Sequence, residues 1–151
     1  MPGYGVPKGK KGLLPWSWAE RRLEKSHNYW ITTVRPECAP HSMVVWGLWM
    51  DGGFYFSTGA KSRKARNLSK NPRCIVCTEN AAEAVIVEGT AKLLKEIRQR
   101  KSFFSRYEEK YKWDMSTLQS EPIFEIRPAV AFGLFEKKFV GTATRWKFDS
   151  R

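Results

Sequence analysis

Turn signals recur at short intervals from residue 29 onwards, and the runs between them are short and rich in β-branched and aromatic residues. Tyr29 to Val34 is broken by Arg35-Pro36-Glu37. Ser42 to Met50 is followed by the hairpin signal Asp51-Gly52-Gly53 and then by Phe54 to Thr58. Arg73 to Thr78 and Ala84 to Leu94 flank a turn at Glu79-Asn80-Ala81, and Ile123 to Phe135 and Phe139 to Phe148 surround Glu136-Lys137-Lys138. About seven antiparallel strands in one domain-sized chain predict a strongly bent sheet or a barrel.

Three segments keep a helical period instead. Pro15-Trp16-Ser17 opens one that runs through Lys25, with Trp16, Ala19 and Leu23 along one strip and Trp18, Arg22 and Lys25 along the next. Lys61 to Lys70 is a second, stopped by Asn71-Pro72. Lys95 to Lys112 is the longest, with Ile97, Phe104, Tyr107 and Tyr111 as its apolar positions. The class is therefore α+β, mainly β. Residues 1–14, rich in Gly, Pro and Lys, read as a flexible arm, which leaves 15–151 as one domain.

Composition narrows the setting. Hydrophobic residues at 42% and charged residues at 28% belong to a soluble globular chain. No apolar run approaches the ~20 residues that cross a bilayer, and the start lacks the apolar stretch of a signal peptide. The three cysteines cannot all pair with one another, so reduced thiols and a cytoplasmic location are expected. Cys74-Ile75-Val76-Cys77 matches C-x-x-C, but positions three apart in a strand point to opposite faces, and no metal site is expected. His27 and His41, the two histidines, have no nucleophile arranged beside them. The net charge of +12 raises nucleic acid as a partner. Its basic residues are scattered without a nucleic-acid motif, and an anionic ligand ranks ahead.

One segment could hold such a ligand. A strand ends in Ser57-Thr58, Gly59 follows, and a helix opens with Lys61, Ser62, Arg63 and Lys64. Cations at a helix N-terminus oppose the helix dipole unless an anion sits there. Free amides, hydroxyls and a guanidinium together suit phosphate. The segment is not a P-loop, because Ala60 separates Gly59 from Lys61.

Pro40-His41-Ser42-Met43-Val44-Val45-Trp46, Phe54-Tyr55-Phe56-Ser57-Thr58, Ser62-Arg63-Lys64-Ala65-Arg66-Asn67-Leu68, Asn71-Pro72-Arg73 and Thr144-Arg145-Trp146-Lys147-Phe148 resemble, in order and spacing, the pyridoxamine 5′-phosphate oxidase-like family. The resemblance runs from Tyr29 to Phe148. It implies a six-stranded antiparallel split β-barrel with flanking helices, a homodimer, and FMN in a groove between the subunits. Ser42, Met43, Val44, Val45 and Trp46 would lie along the ring. Ser57, Thr58, Lys61, Ser62, Arg63 and Lys64 would surround the phosphate. Arg145 would reach in from the second subunit, with Trp146 beside it.

Three departures bear on activity. Ser42 replaces an Arg of the true oxidases, Gly47 replaces a Lys, and Gly141-Thr142-Ala143 replaces their substrate-binding Arg and His. They argue against vitamin B6 phosphate oxidation and leave the general cofactor site standing. The deazaflavin-dependent reductases share the Ser-Arg-Lys segment, and their poly-anionic cofactor, an 8-hydroxy-5-deazaflavin, suits a basic groove. The expected function is a flavin-type oxidoreductase that moves a hydride to or from a small unsaturated or aromatic substrate in a pocket lined by Trp18, Trp46 or Trp49. The cofactor carries that chemistry, so no catalytic side chain is assigned. A deazaflavin-dependent reductase and a non-catalytic flavin- or haem-binding protein are the alternatives.

Overall fold

The structure is a computed structural model, and it describes residues 9–149. In chain order the elements are α1 (Trp16–Lys25), β1 (Tyr29–Val34), β2 (Pro40–Val45), β3 (Leu48–Met50), β4 (Gly53–Ser57), α2 (Arg63–Lys70), β5 (Arg73–Thr78) and β6 (Glu83–Leu93). There follow α3 (Ile97–Tyr111), β7 (Ile123–Phe135), a 3-10 turn (Glu136–Lys138), α4 (Phe139–Thr142) and β8 (Thr144–Lys147). The arm expected over residues 1–14 lies outside the described residues as far as Lys8. Its last residue, Leu14, donates its amide to Thr144 Oγ1 at 2.9 Å.

All strands join one antiparallel sheet in the order β2-β1-β5-β6-β7-β4-β3, with β8 beside β7. β2 and β3 stand at opposite ends of that order, yet only Trp46-Gly47 separates them in sequence. Such a link reaches about 11 Å at most. The sheet therefore curls until its two ends meet, which makes it a half-barrel. Curling is assisted at Glu88/Gly89, where the β6–β7 register shifts. A Cβ on Gly89 would lie 2.4 Å from the Arg127 carbonyl oxygen, so the bulge needs glycine.

The sheet has eight strands where the resemblance implied six. Two local effects account for the difference from the expected runs. Gly47 interrupts Ser42 to Met50 and divides it into β2 and β3. The expected strand Phe139 to Phe148 keeps only β8, because its first residues close a helical turn. There the Thr142 hydroxyl donates to the Lys138 carbonyl at 2.7 Å, and the Ala143 amide to Phe139 at 3.2 Å.

Inside the curl, Tyr29, Ile31, Phe54, Phe56 and Val76 are almost fully removed from solvent. α1 closes one opening with Trp18, Ala19 and Leu23, a face that joins residues of both expected strips. α2 is seated on β1 by Asn67 Nδ2, which donates to Thr33 Oγ1 at 3.0 Å, both residues being buried. A second apolar cluster lies outside the barrel, where Phe103, Phe104, Tyr107 and Tyr111 of α3 cover Leu48, Met50 and Tyr55. Ile97, expected on that face, is 68% exposed, and Phe103 contributes in its place.

Gly47 sits where the barrel, β3 and α3 meet. A Cβ there would stand 2.3 Å from the Phe54 ring and 2.7 Å from the Tyr55 carbonyl oxygen. Gly47→Ala is expected to cost about 1–3 kcal/mol in urea unfolding, as overpacking of a close-packed site does. Gly59→Ala, with open space around the added carbon, is expected to leave the unfolding midpoint unchanged.

Candidate functional site

The loop from β4 into α2 gathers Ser57, Thr58, Lys61, Ser62, Arg63 and Lys64. Ser62 is the helix N-cap, and its Oγ accepts the Ala65 amide at 3.2 Å. Thr58 Oγ1 donates to that same oxygen at 3.1 Å, while Ser57 Oγ donates to the Pro122 carbonyl at 3.0 Å. Two of the three hydroxyl protons are thus engaged within the protein. The Ser62 proton and the amides of Arg63 and Lys64 have no partner among the described residues. The first turn of α2 holds no acidic residue, and Arg63 and Lys64 join none of the three ion pairs of the described residues. Burial lowers the Lys64 pKa from its ordinary value. Lys61 is exposed, and Glu121 accepts the Ala60 amide at 3.1 Å at the outer side of the loop. Two free amides, one hydroxyl, a guanidinium and an ammonium form a set of donors that a phosphate dianion would satisfy.

Along β2 the side chains alternate. Ser42 and Val44 face outwards, opposite Thr32 and Trp30 of β1, while Met43 and Val45 share the inner face with Ile31 and Tyr29. Trp46, in the link to β3, stacks on Tyr111 with ring centroids 4.6 Å apart and an interplanar angle of 4°. Its Nε1 donates to Asn28 Oδ1 at 3.0 Å, and Trp113 meets it edge-on at 6.0 Å. Trp46, Tyr107 and Trp113 line a cleft of about 360 Å³ together with Ser57, Thr58 and Gly59. The start of the β4–α2 loop and an aromatic wall therefore share one cavity, whose lining also includes Glu121, while Ser62, Arg63 and Lys64 follow along the same loop into α2. Trp18 and Trp49, expected beside it, are buried in the core instead, Trp49 edge-on to Trp16 at 5.9 Å.

Arg145 stands elsewhere. The outward row Val44–Trp30–Cys77–Ile86–Phe132–Arg145 crosses the sheet one strand at a time, from β2 to β8. Five strand spacings, roughly 24 Å along the sheet, separate its ends. Trp146 faces the other way and packs against Trp16 at 5.3 Å. Within one chain the structure brings Arg145 and Trp146 to neither β2 nor α2. Cys74 is buried beneath the sheet, where desolvation pushes its thiol up to about 12, and Cys77 is on the opposite face.

Lys110 was not singled out by the sequence, although it shares the buried strip of α3 with Tyr107 and Tyr111. Its Nζ donates to Tyr29 Oη at 2.8 Å and to the Gly47 carbonyl at 3.1 Å. The Tyr111 hydroxyl accepts the Gly47 amide at 2.9 Å and lies 2.8 Å from the Gly47 carbonyl oxygen. These contacts fix the backbone on which Trp46 is mounted.

The profile of the family described as pyridoxamine 5′-phosphate oxidase matches residues 19–135. That is most of the chain, and the chain belongs to this family. Solved structures of similar fold include a conserved hypothetical protein of Mycobacterium tuberculosis, with a TM-score of 0.73, 19% identity and coverage of 83% of this chain and 88% of that one. An F420 reductase has a TM-score of 0.62 and 21% identity, covering 83% and 98% of the two chains. The haem storage protein HutZ of Vibrio cholerae has 0.65 and 16%, covering 77% and 90%. Comparison with curated proteins finds no sequence match. At these identities the similarity to the solved structures is one of fold.

Burial lowers the Lys110 ammonium from its ordinary value of 10.5 to about 8. Between those two values the unfolded chain holds a proton that the folded chain has released, so stability rises with pH across this window. Burial raises Tyr29 and Tyr111, which act in the opposite sense only above about pH 10. The buried Cys74 and Cys77 thiols, also raised, act in the opposite sense from about pH 9 in both proteins, so the expected signature is a difference: the urea midpoint of the natural chain is expected to rise relative to that of Lys110→Met from about pH 8 to about pH 10.

Proposed function

We propose that the protein is a flavin-type oxidoreductase that binds FMN by its phosphate at the head of α2, with the ring along β2 and Trp46. The observation that carries this reading is the head of α2, where two free amides, the Ser62 hydroxyl, Arg63 and Lys64 lack partners among the described residues, on a loop whose first residues, Ser57 to Gly59, line a cleft walled by Trp46, Tyr107 and Trp113. When bound, the flavin supplies hydride chemistry to a small unsaturated or aromatic substrate. The chain's own residues bind and orient. Arg63 and Lys64 neutralise the phosphate, Ser62 donates its remaining proton, and Trp46, held by Tyr111 and Asn28, presents a flat apolar surface.

The site is completed by a second copy of the chain. Trp30 and Val44 are 48% and 45% exposed at the β2 edge of an outward face that is apolar across most of its central row. Arg145, at the far end of that row, approaches β2 only if a second copy lies against the face. Three free cysteines fit a reducing, cytoplasmic setting.

A deazaflavin cofactor is the second reading, favoured by the surplus of unpaired cations around α2 and the net charge of +12. An absorbance spectrum of the purified protein, followed by titration with FMN and with the deazaflavin, separates the two. Uptake of neither removes the cofactor reading, and tight uptake without reduction by NAD(P)H or reduced deazaflavin indicates a binding protein without turnover.

Arg63→Ala and Lys64→Ala are each expected to weaken cofactor binding by about 1–3 kcal/mol, the scale of a charged hydrogen bond. Unchanged affinity in both would remove α2 from the site. Trp30→Glu is expected to yield monomers in sedimentation and to release the cofactor with them. A monomer that retains full affinity contradicts the two-copy site.

A further inference from the structure

The register of β1 and β2 and the seat of α2 bring four basic side chains to one place. His41 pairs across the ladder with Thr33, whose hydroxyl accepts from Asn67 of α2. Arg35 follows Thr33 by two residues and so projects to the same side, its amide held in the hairpin by the Ala39 carbonyl at 2.9 Å. Arg63 and Lys64 precede Asn67 by one helical turn and share its strip of α2. All four side chains are half-buried. Arg35 Nε and His41 Nδ1 are buried atoms without a hydrogen-bond partner, and no carboxylate pairs with Arg35, Arg63 or Lys64 among the described residues.

Three cations beside an imidazole without a counter-charge repel one another and disfavour its protonation, and unpartnered buried polar atoms cost free energy. A bound anion removes both penalties at once. We propose that Arg35 and His41 are part of the anion site at the head of α2, so that a phosphate group is held by Arg63 and Lys64 on one side and by Arg35 and His41 on the other. This rests on reading α2 as a phosphate site. It adds two residues, from the β1–β2 hairpin, that lie outside the segment Ser57 to Lys64.

The proposal makes binding proton-coupled. Without ligand, burial and the positive charges of Arg35, Lys64 and Arg63 hold His41 below its ordinary pKa. A dianion among these groups reverses their field, and His41 takes up a proton from solvent as the anion binds. Affinity for the anion is then greatest at low pH and falls as pH rises through the bound-state pKa of His41.

The test uses the ring-proton resonances of the full chain, which has two histidines. They are followed over pH in sodium sulfate, which stays dianionic throughout, and in sodium chloride at matched ionic strength. His41 is expected to bind its proton about tenfold more tightly in sulfate, one pH unit in its midpoint, while the His27 midpoint stays in place. Arg35→Met is expected to remove most of that difference and Arg35→Lys to keep it, which separates charge from packing. Equal His41 midpoints in sulfate and chloride overturn the proposal. FMN that binds Arg35→Met and His41→Gln as tightly as the natural chain overturns it too, and leaves the cofactor reading intact. A sulfate-dependent His41 shift in a protein that takes up neither FMN nor deazaflavin has the converse meaning: the anion site stands and the cofactor reading falls.

Discussion

Two residues, Trp46 and Gly47, join the strands at the two ends of the sheet order, and this short tether governs the rest of the molecule. It forces the sheet to curl, because strands that are far apart in the ladder must come within reach of a link only about 11 Å long. Curling encloses Tyr29, Phe54 and Phe56 and leaves α3 to cover the outer side of β3 and β4. At Gly47 no side chain fits, and its backbone groups are taken up by Tyr111 and Lys110. Glycine at this position is thus a steric requirement of the seam.

The same seam positions the aromatic wall of the candidate site. Trp46 is anchored on both faces of its neighbourhood, by the Tyr111 stack and by the Asn28 hydrogen bond, so its outward surface is presented at little further entropic cost. Beyond the loop residues Ser57 to Gly59, which line the same cavity, α2 begins with cations that lack carboxylate partners among the described residues. Elsewhere the protein pairs its buried charge closely. Glu125 is almost fully buried and is met by Arg127, by Lys92 at 3.4 Å and by the Tyr55 hydroxyl at 3.0 Å. The Tyr55 phenol is pushed up to about 12 by burial and by Glu125 beside it. A chain that neutralises one buried carboxylate with two cations leaves the half-buried Arg63 and Lys64 without any carboxylate among the described residues.

Much of this was legible in the sequence where local chemistry decides the outcome. β1, β5 and β7 lie where their residue types and turn signals put them, and α1 and α2 stop at Lys25 and Lys70 as read. The α2 turn was recognisable because Lys61, Ser62, Arg63 and Lys64 are adjacent in the chain. What could not be read was decided across the chain. Gly47 looked like one residue within a longer strand until Phe54 and Tyr55 came against it. The run from Phe139 became a helical turn through a hydroxyl bond within its own backbone. Lys110 falls without distinction inside the expected helix Lys95 to Lys112, and its contacts with Tyr29 and Gly47 follow only from the packing of α3 on the seam. Arg35 and His41 were a turn residue and a lone histidine, because their relation to α2 exists only in the ladder register.

Distance along the sheet then constrains assembly. One copy carries a phosphate-ready helix end and an aromatic wall at the β2 side, and Arg145 at the other end of a row that spans about five strand spacings. No side-chain rotation covers such a gap. The intervening row is apolar, with Trp30, Cys77, Ile86 and Phe132 at successive positions, and a face of this composition is costly to leave in water. Covering it with an identical face, related by a two-fold axis, would bury both apolar rows and could carry each Arg145 towards the other copy's β2 edge. On this reading the apolar surface of the barrel and the charge at the end of β8 belong to the same function: one brings two chains together, and the other is delivered by that contact to a site neither chain completes alone.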